Sequence, residues 1–247
     1  MSVCLEDYRR LARILDAPPM FLDLLPFMVK PDEVSILLGL SERKTVKELS
    51  SQLNQPLDFL KSRVQNLYRR GFLKKEVDGE VYYSVKSFRS VIDRHLAEGR
   101  TKNLKKYVGA LAKYLMDTHV ERAKENPYPG SKVLPIPQAI VEPVSIVIPF
   151  ENAISIIEKA DSISLRNCDC RMTFNNCNNP LRTCIALNEF SDELIDRGVA
   201  ESISLEQAKE VLDEANRHGL VHQALYTDWV RGRFSIFVVA VPVVVCI

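Results

Sequence analysis

The chain has 247 residues, 46% of them apolar and 26% charged, with a net charge of +1. That is enough for two domains with cores of their own, and the near-neutral balance by itself points to neither nucleic acid nor membrane. The longest apolar run, 234–247, is broken by Pro242 and falls short of the roughly 20 residues that span a bilayer; the opening MSVCLEDYRR lacks a basic-then-apolar leader, so a cytoplasmic location is expected.

Residues 5–16 place Tyr8, Leu11 and Leu15 on one helical face and run into Pro18-Pro19, which predicts a short helix. The apolar run 20–28, MFLDLLPFM, reads as a strap over the next domain, with a docking surface as the alternative.

From 31 to 85 the pattern is helix, helix, helix, hairpin. Pro31 opens a helix with Val34, Leu37 and Leu38 inward; Thr45 and Glu48 make a capping box for a second, with Val46, Leu49 and Leu53 inward. After a turn at 54–56, Leu57, Leu60, Val64 and Leu67 form the stripe of a third helix that stops at Gly71. Two strand-like runs, 72–77 and 80–85, flank Asp78-Gly79, a two-residue hairpin signal. The pattern predicts a winged helix-turn-helix domain at 30–90, preceded by the helix and strap of 1–29.

Residues 41–107 hold sixteen Lys or Arg against eight Asp or Glu. On the third helix, the face opposite the leucines carries Asp58, Phe59, Ser62, Gln65, Asn66, Arg69 and Arg70. Arg69, Arg70, Lys74 and Lys75 suit phosphates, and Ser62, Gln65 and Asn66 suit base edges, but Asp58 repels a phosphate backbone and Phe59 is foreign to a groove. Duplex DNA and a protein partner are therefore both open, because winged helices serve either role.

Residues 88–125 read as further helices, with Val91, Ile92 and Leu96 and then Leu104, Val108, Leu111 and Leu115 forming a core or a homodimer seam. His95, His119, His218 and His222 are not at metal spacing and read as structural or exposed. The turn-rich 126–131 ends a connecting segment of 91–131. Beyond it, 133–149 reads as edge strands or a strap, 150–160 and 185–197 as helices, and Ser204 with Gln207 as the capping box of a last helix that buries Ala208, Val211, Leu212 and Ala215. The expected class is mostly α (α+β), a winged helix joined by a long helix and linker to a small helical cysteine-rich domain at 132–247.

Four of the six cysteines cluster in one loop of that second domain, at Cys168, Cys170, Cys177 and Cys184, spaced C-x-C-x6-C-x6-C. Four thiols in a short Asn- and Pro-rich loop can converge on one ion or cluster, whereas two disulfides need an oxidising compartment. The spacing departs from the paired knuckles of a zinc ribbon, and the irregular set with Pro180 near a ligand suits an iron-sulfur cluster, probed against zinc as the alternative. Arg166, Arg171 and Arg182 surround these cysteines and can donate hydrogen bonds to cluster sulfurs; a solvated loop is the plainer reading of each.

The run C-x-C-R from Cys168 to Arg171, the C-x-x-P-x3-C from Cys177 to Cys184, and the closing His218-Gly-Leu-Val-His222 resemble a family of anaerobe proteins described as 4Fe-4S ferredoxin-type or iron-sulfur-binding. The similarity runs from about Tyr8 to His222. It implies a [4Fe-4S] cluster and a winged-helix-like first half. Relatives in that family carry a second dense cysteine run after the last helix, where this chain has FSIFVVAVPVVVCI and only Cys246. Valine codons read one nucleotide early encode Cys, Ser, Gly or Arg, so this tail is what a frame slip makes of a cysteine motif; an ordinary buried strand is the alternative.

No phosphate-binding glycine loop, nucleophile elbow or His/Cys signature is present, so an enzyme is the weaker class. The expected function is a redox-responsive DNA-binding regulator. The alternatives are an electron-transfer or assembly partner of a redox protein, and a zinc-stabilised structural protein.

Overall fold

The structure, a computed structural model, describes residues 5–97, 107, 109–111, 113–114, 117–118, 131–134, 153–168, 171–172, 178–228 and 233–240. The chain is of the α+β class, helical with two sheets. It divides into two compact units, Met1–Leu115 and Met116–Ile247.

The first unit begins with α1 (Leu5–Leu15), whose Tyr8, Leu11 and Leu15 are buried. A 3-10 turn (Pro19–Leu24) and α2 (Leu25–Met28) follow, burying Phe21, Leu24, Leu25 and Met28 and leaving Met20 and Phe27 exposed. The run therefore straps the core. Next come α3 (Pro31–Gly39), β1 (Lys44–Thr45), α4 (Val46–Leu53) and α5 (Leu57–Arg69), then β2 (Leu73–Asp78), β3 (Glu80–Val85) and α6 (Phe88–Ala97). The capping box at α4 forms as expected: Thr45 Oγ1 accepts from the Glu48 N–H at 3.2 Å, and Glu48 Oε2 accepts from the Thr45 N–H at 2.7 Å.

The three strands form an antiparallel sheet in the order β1-β3-β2. Its hairpin registers Val77 with Val81 and Asp78 with Glu80, so the turn centres on Gly79 and not between Asp78 and Gly79. Gly79 takes φ +69°, a conformation glycine adopts without steric penalty, and this sets the register.

One core runs through the whole unit, from Tyr8 through Leu37, Leu60 and Phe72 to Val91, Ile92 and Leu111. The helix and strap of 5–29, together with Val91, Ile92 and Leu111, thus share one core with the helices and hairpin that follow Pro31. Val91, Ile92 and Leu111 are spent on its interior and not on a dimer seam. Leu104, Val108, Leu115, the side chain of Leu96 and residues 126–130 of the linker lie outside the described residues.

The second unit is not the small helical domain expected. It is built on a six-stranded antiparallel sheet in the order β4-β8-β9-β6-β5-β7: β4 (Ser131–Leu134), β5 (Ile163–Arg166), β6 (Cys184–Leu187), β7 (Glu201–Ser202), β8 (Val221–Asp228) and β9 (Arg233–Ala240). Residues 185–187, read as the start of a helix, are strand. Four consecutive buried residues at 184–187 carry no period of two, so their pattern cannot separate a central strand from a buried helical turn. The helices are α7 (Ala153–Glu158), α8 (Asn188–Asp196) and α9 (Leu205–Arg217). The predicted box at α9 is present, with Ser204 Oγ accepting from the Gln207 N–H at 3.2 Å.

Alternation along β5 and β6 divides the sheet into two faces. Ile163, Leu165, Ile185 and Leu187 join the apolar core with α7 and α9. Ser164, Arg166, Cys184 and Ala186 take the opposite face and are also buried; there Ser162 Oγ donates to Ser191 Oγ of α8 at 3.0 Å. The tail through Ala240 is the strand β9, paired between β8 and β6. Among the described residues, no helix is long and apolar enough to cross a membrane.

Candidate metal centre

The β5–β6 ladder carries the described part of the cysteine loop. Arg166 pairs in register with Cys184, and Cys184 pairs on its other side with Val238 of β9. Past the ladder, the Cys168 N–H donates to the Leu181 carbonyl at 2.7 Å, and the Cys168 carbonyl accepts from the Met172 N–H at 3.0 Å. Both Cys168 and Cys184 are buried thiols, 2% and 5% exposed. They mark the two ends of the loop, which the sheet holds together at its base. Cys170, Cys177 and Cys246 lie outside the described residues, and among those described no three His, Cys, Asp or Glu side chains converge on a metal position.

The three arginines separate. Arg166 is buried beside Cys184 in the ladder. Arg182 is exposed and pairs with Glu201 at 2.6 Å, so it turns away from the role of a buried donor. Arg171 is 5% exposed and closes the loop: its Nη1 donates to the Pro180 carbonyl at 2.6 Å and to Thr183 Oγ1 at 2.5 Å. Its Nε and Nη2 are buried with no partner among the described residues. Thr183, fully buried, was missed by the sequence reading. The alternation of apolar and polar residues at 163–166 was the available signal, since it marks a strand with a second buried polar face that the flanking Thr183 extends.

These groups fit a thiolate-held anionic centre. Soft sulfur donors and a fixed cation with spare N–H groups are what such a group needs from its surroundings. A buried guanidinium without an anion is costly, and arginine cannot shed its proton to escape that cost.

His222 lies on β8, 2% exposed, with Nε2 2.6 Å from Asn216 Oδ1, so Nε2–H donates. Burial pushes its pKa below the ordinary value, and the charge of Asp213 opposes this in part. The unfolded chain therefore binds a proton before the folded one does. Stability of the second unit is expected to fall as pH drops below about 6.5, by no more than about 1.4 kcal/mol per pH unit from this group. His222→Gln should flatten that slope in denaturant unfolding followed from pH 7 to 5.

In the first unit, α5 exposes Ser62, Asn66 and Arg69, with Gln65 half-buried. Arg70 does not face outward. Its Nη1 meets Glu33 Oε1 at 2.6 Å, its Nη2 donates to the Met28 carbonyl, and Glu33 is 1% exposed. Glu33 also accepts from the Lys30 N–H at 2.9 Å at the start of α3, so the pair ties three segments together. Lys74 pairs with Glu76 at 2.5 Å, and Lys75 lies 5.6 Å from the Tyr68 ring centroid. Other cations of this stretch are also engaged locally, Arg43 with Glu76 and Asp78, and Arg63 with Asp32. A cleft of about 480 Å³ lies beside α5, lined by Asp7, Arg10, Leu38, Gln52 and Phe59 among others. Phe59 is 40% exposed.

Comparison with known proteins finds no matching family model, no similar curated protein and no similar solved structure. The likeness of the cysteine loop to iron-sulfur proteins rests on its motif residues alone.

Proposed function

We propose that this chain binds an iron-sulfur cluster, [4Fe-4S], through Cys168, Cys170, Cys177 and Cys184, and acts as a redox-responsive DNA-binding regulator through a winged-helix unit. The observation that carries the cluster reading is that the loop whose two ends hold the buried thiols of Cys168 and Cys184 also buries Arg171, bonded to Pro180 and Thr183 and with Nε and Nη2 lacking a partner among the described residues. Cys168 and Cys184 would hold the cluster from the sheet, and Arg166 and Arg171 would supply compensating charge. When bound, such a cluster supplies one-electron redox chemistry. Around it, this chain's residues exclude water and close the loop.

The winged-helix reading is supported by the order helix, strand, helix, helix, hairpin, with strands in the order β1-β3-β2. Arg70 is engaged inside, so this reading assigns phosphates to Arg69, Lys74 and Lys75, with Lys74 exchanging its pairing with Glu76 for a phosphate. Three contacts imply a log-log salt slope of about −3 in a duplex-binding titration. A second reading, docking of a redox protein partner, is favoured by the cleft beside exposed Phe59 and by cations already paired with carboxylates. Anaerobic purification with iron, sulfide and zinc analysis tests the cofactor. DNA affinity of reduced, oxidised and cluster-free protein at one salt concentration tests the role: a difference of about fivefold or more supports the regulator, and equal affinities support docking.

A further inference from the structure

We infer that Arg171 is the counter-ion of the group held by the cysteine loop, and that its unused guanidinium edge sets that group's reduction potential. The inference rests on the cluster reading above. Arg171 divides into two halves. Nη1 is spent on the Pro180 carbonyl and the Thr183 hydroxyl, which staples the loop. Among the described residues, Nε and Nη2 are buried without a hydrogen-bond partner and no carboxylate pairs with the side chain. A staple alone needs only a neutral donor, such as an amide or a hydroxyl. Placing a permanent cation there, with two guanidinium nitrogens and their three N–H groups desolvated, is favourable only if an anion shares the space.

The thiolates of the cysteine loop can supply that anion. Arg171 follows Cys170 directly, and its hydrogen bonds fall on residues that lead into Cys184. Thiolates bound to iron and sulfide form such an anion, and reduction adds one further negative charge to it with no bond broken. A fixed cation stabilises the reduced state more than the oxidised one, so Arg171 holds the potential up. It is a positioning and tuning residue, not a ligand.

The test uses the full chain, reconstituted anaerobically with iron and sulfide, and titrated with dithionite as the electron donor. Arg171→Gln keeps a donor for the staple and removes the charge. It is expected to lower the reduced fraction at a fixed potential about tenfold, which for a one-electron couple is a downward shift of about 59 mV. Thr183→Val disturbs only the staple side and should load with the wild-type potential. An unchanged potential in Arg171→Gln overturns this inference while leaving the cluster reading intact. Absence of iron and sulfide in the wild-type protein overturns both. Should Arg171→Gln fail to load, Thr183→Val decides: normal loading there supports the charge role, and equal failure reduces Arg171 to a staple and overturns it.

Discussion

Replacing Cys184 by Ser is expected to lower bound iron and acid-labile sulfide more than tenfold in protein prepared without oxygen, with the visible absorption of the cluster lost in parallel. A serine oxygen is a hard donor and a poor substitute for the soft thiolate that iron-sulfur centres take. Cys184 opens β6 in the interior of the sheet and is 5% exposed, so a hydroxyl there adds about 1–3 kcal/mol of desolvation cost. Cys184→Ala removes the ligand without that hydroxyl, and should show the same loss of iron with far-UV circular dichroism unchanged. Cys4→Ser, outside the loop, should load like wild type. Retention of iron and sulfide by both Cys184 variants would sink the proposed ligand set. Stoichiometric zinc without sulfide, in wild-type protein never exposed to oxygen, would replace it with the zinc alternative.

The second large effect belongs to Arg70. Its truncation to Ala leaves the Glu33 carboxylate, 2% exposed at its side chain, without its cation. Removing one partner of a buried ion pair costs about 3–5 kcal/mol, since the remaining charge stays desolvated. Thermal unfolding of the first unit should therefore shift down by more than about 10 °C, at roughly 4–8 °C per kcal/mol for a body of this size. Arg69→Ala, on the exposed side of the same helix end, should leave the midpoint within a degree or two and weaken duplex binding instead. If Arg70→Ala instead unfolded like wild type and reduced the salt slope of DNA binding by about 1, Arg70 would be a phosphate contact and the ion pair of little consequence.

Much of the first unit was legible in the sequence. Its helices carry their apolar stripes at 3.6-residue spacing, its capping box is a local four-residue signal, and Gly79 marks its own turn; each is decided by neighbours within a few residues. Arg70 was misread for the opposite reason. Helical phase placed it on the outer face, but at the end of α5 it reaches Glu33 and Met28, 37 and 42 residues away, and no local pattern reports a partner at that distance. In the second unit the sheet was missed and residues 185–187 were read as helix. Its strands β5 and β6 have 4 residues each, and β6, buried at all four, shows no alternation to distinguish it from a helix.

The sequence by itself determined the chemistry available to this protein: a run of thiols with arginines among them, a helical first half, and two capped helices whose starts are written in adjacent residues. Only the tertiary structure decided which arginine does what. Arg166, Arg171 and Arg182 are equivalent in sequence, yet one lies in a buried ladder, one closes the loop with two nitrogens unpartnered among the described residues, and one pairs with Glu201 in solvent. Burial and pairing across a sheet depend on strand register, and register is fixed by contacts between segments far apart in the chain.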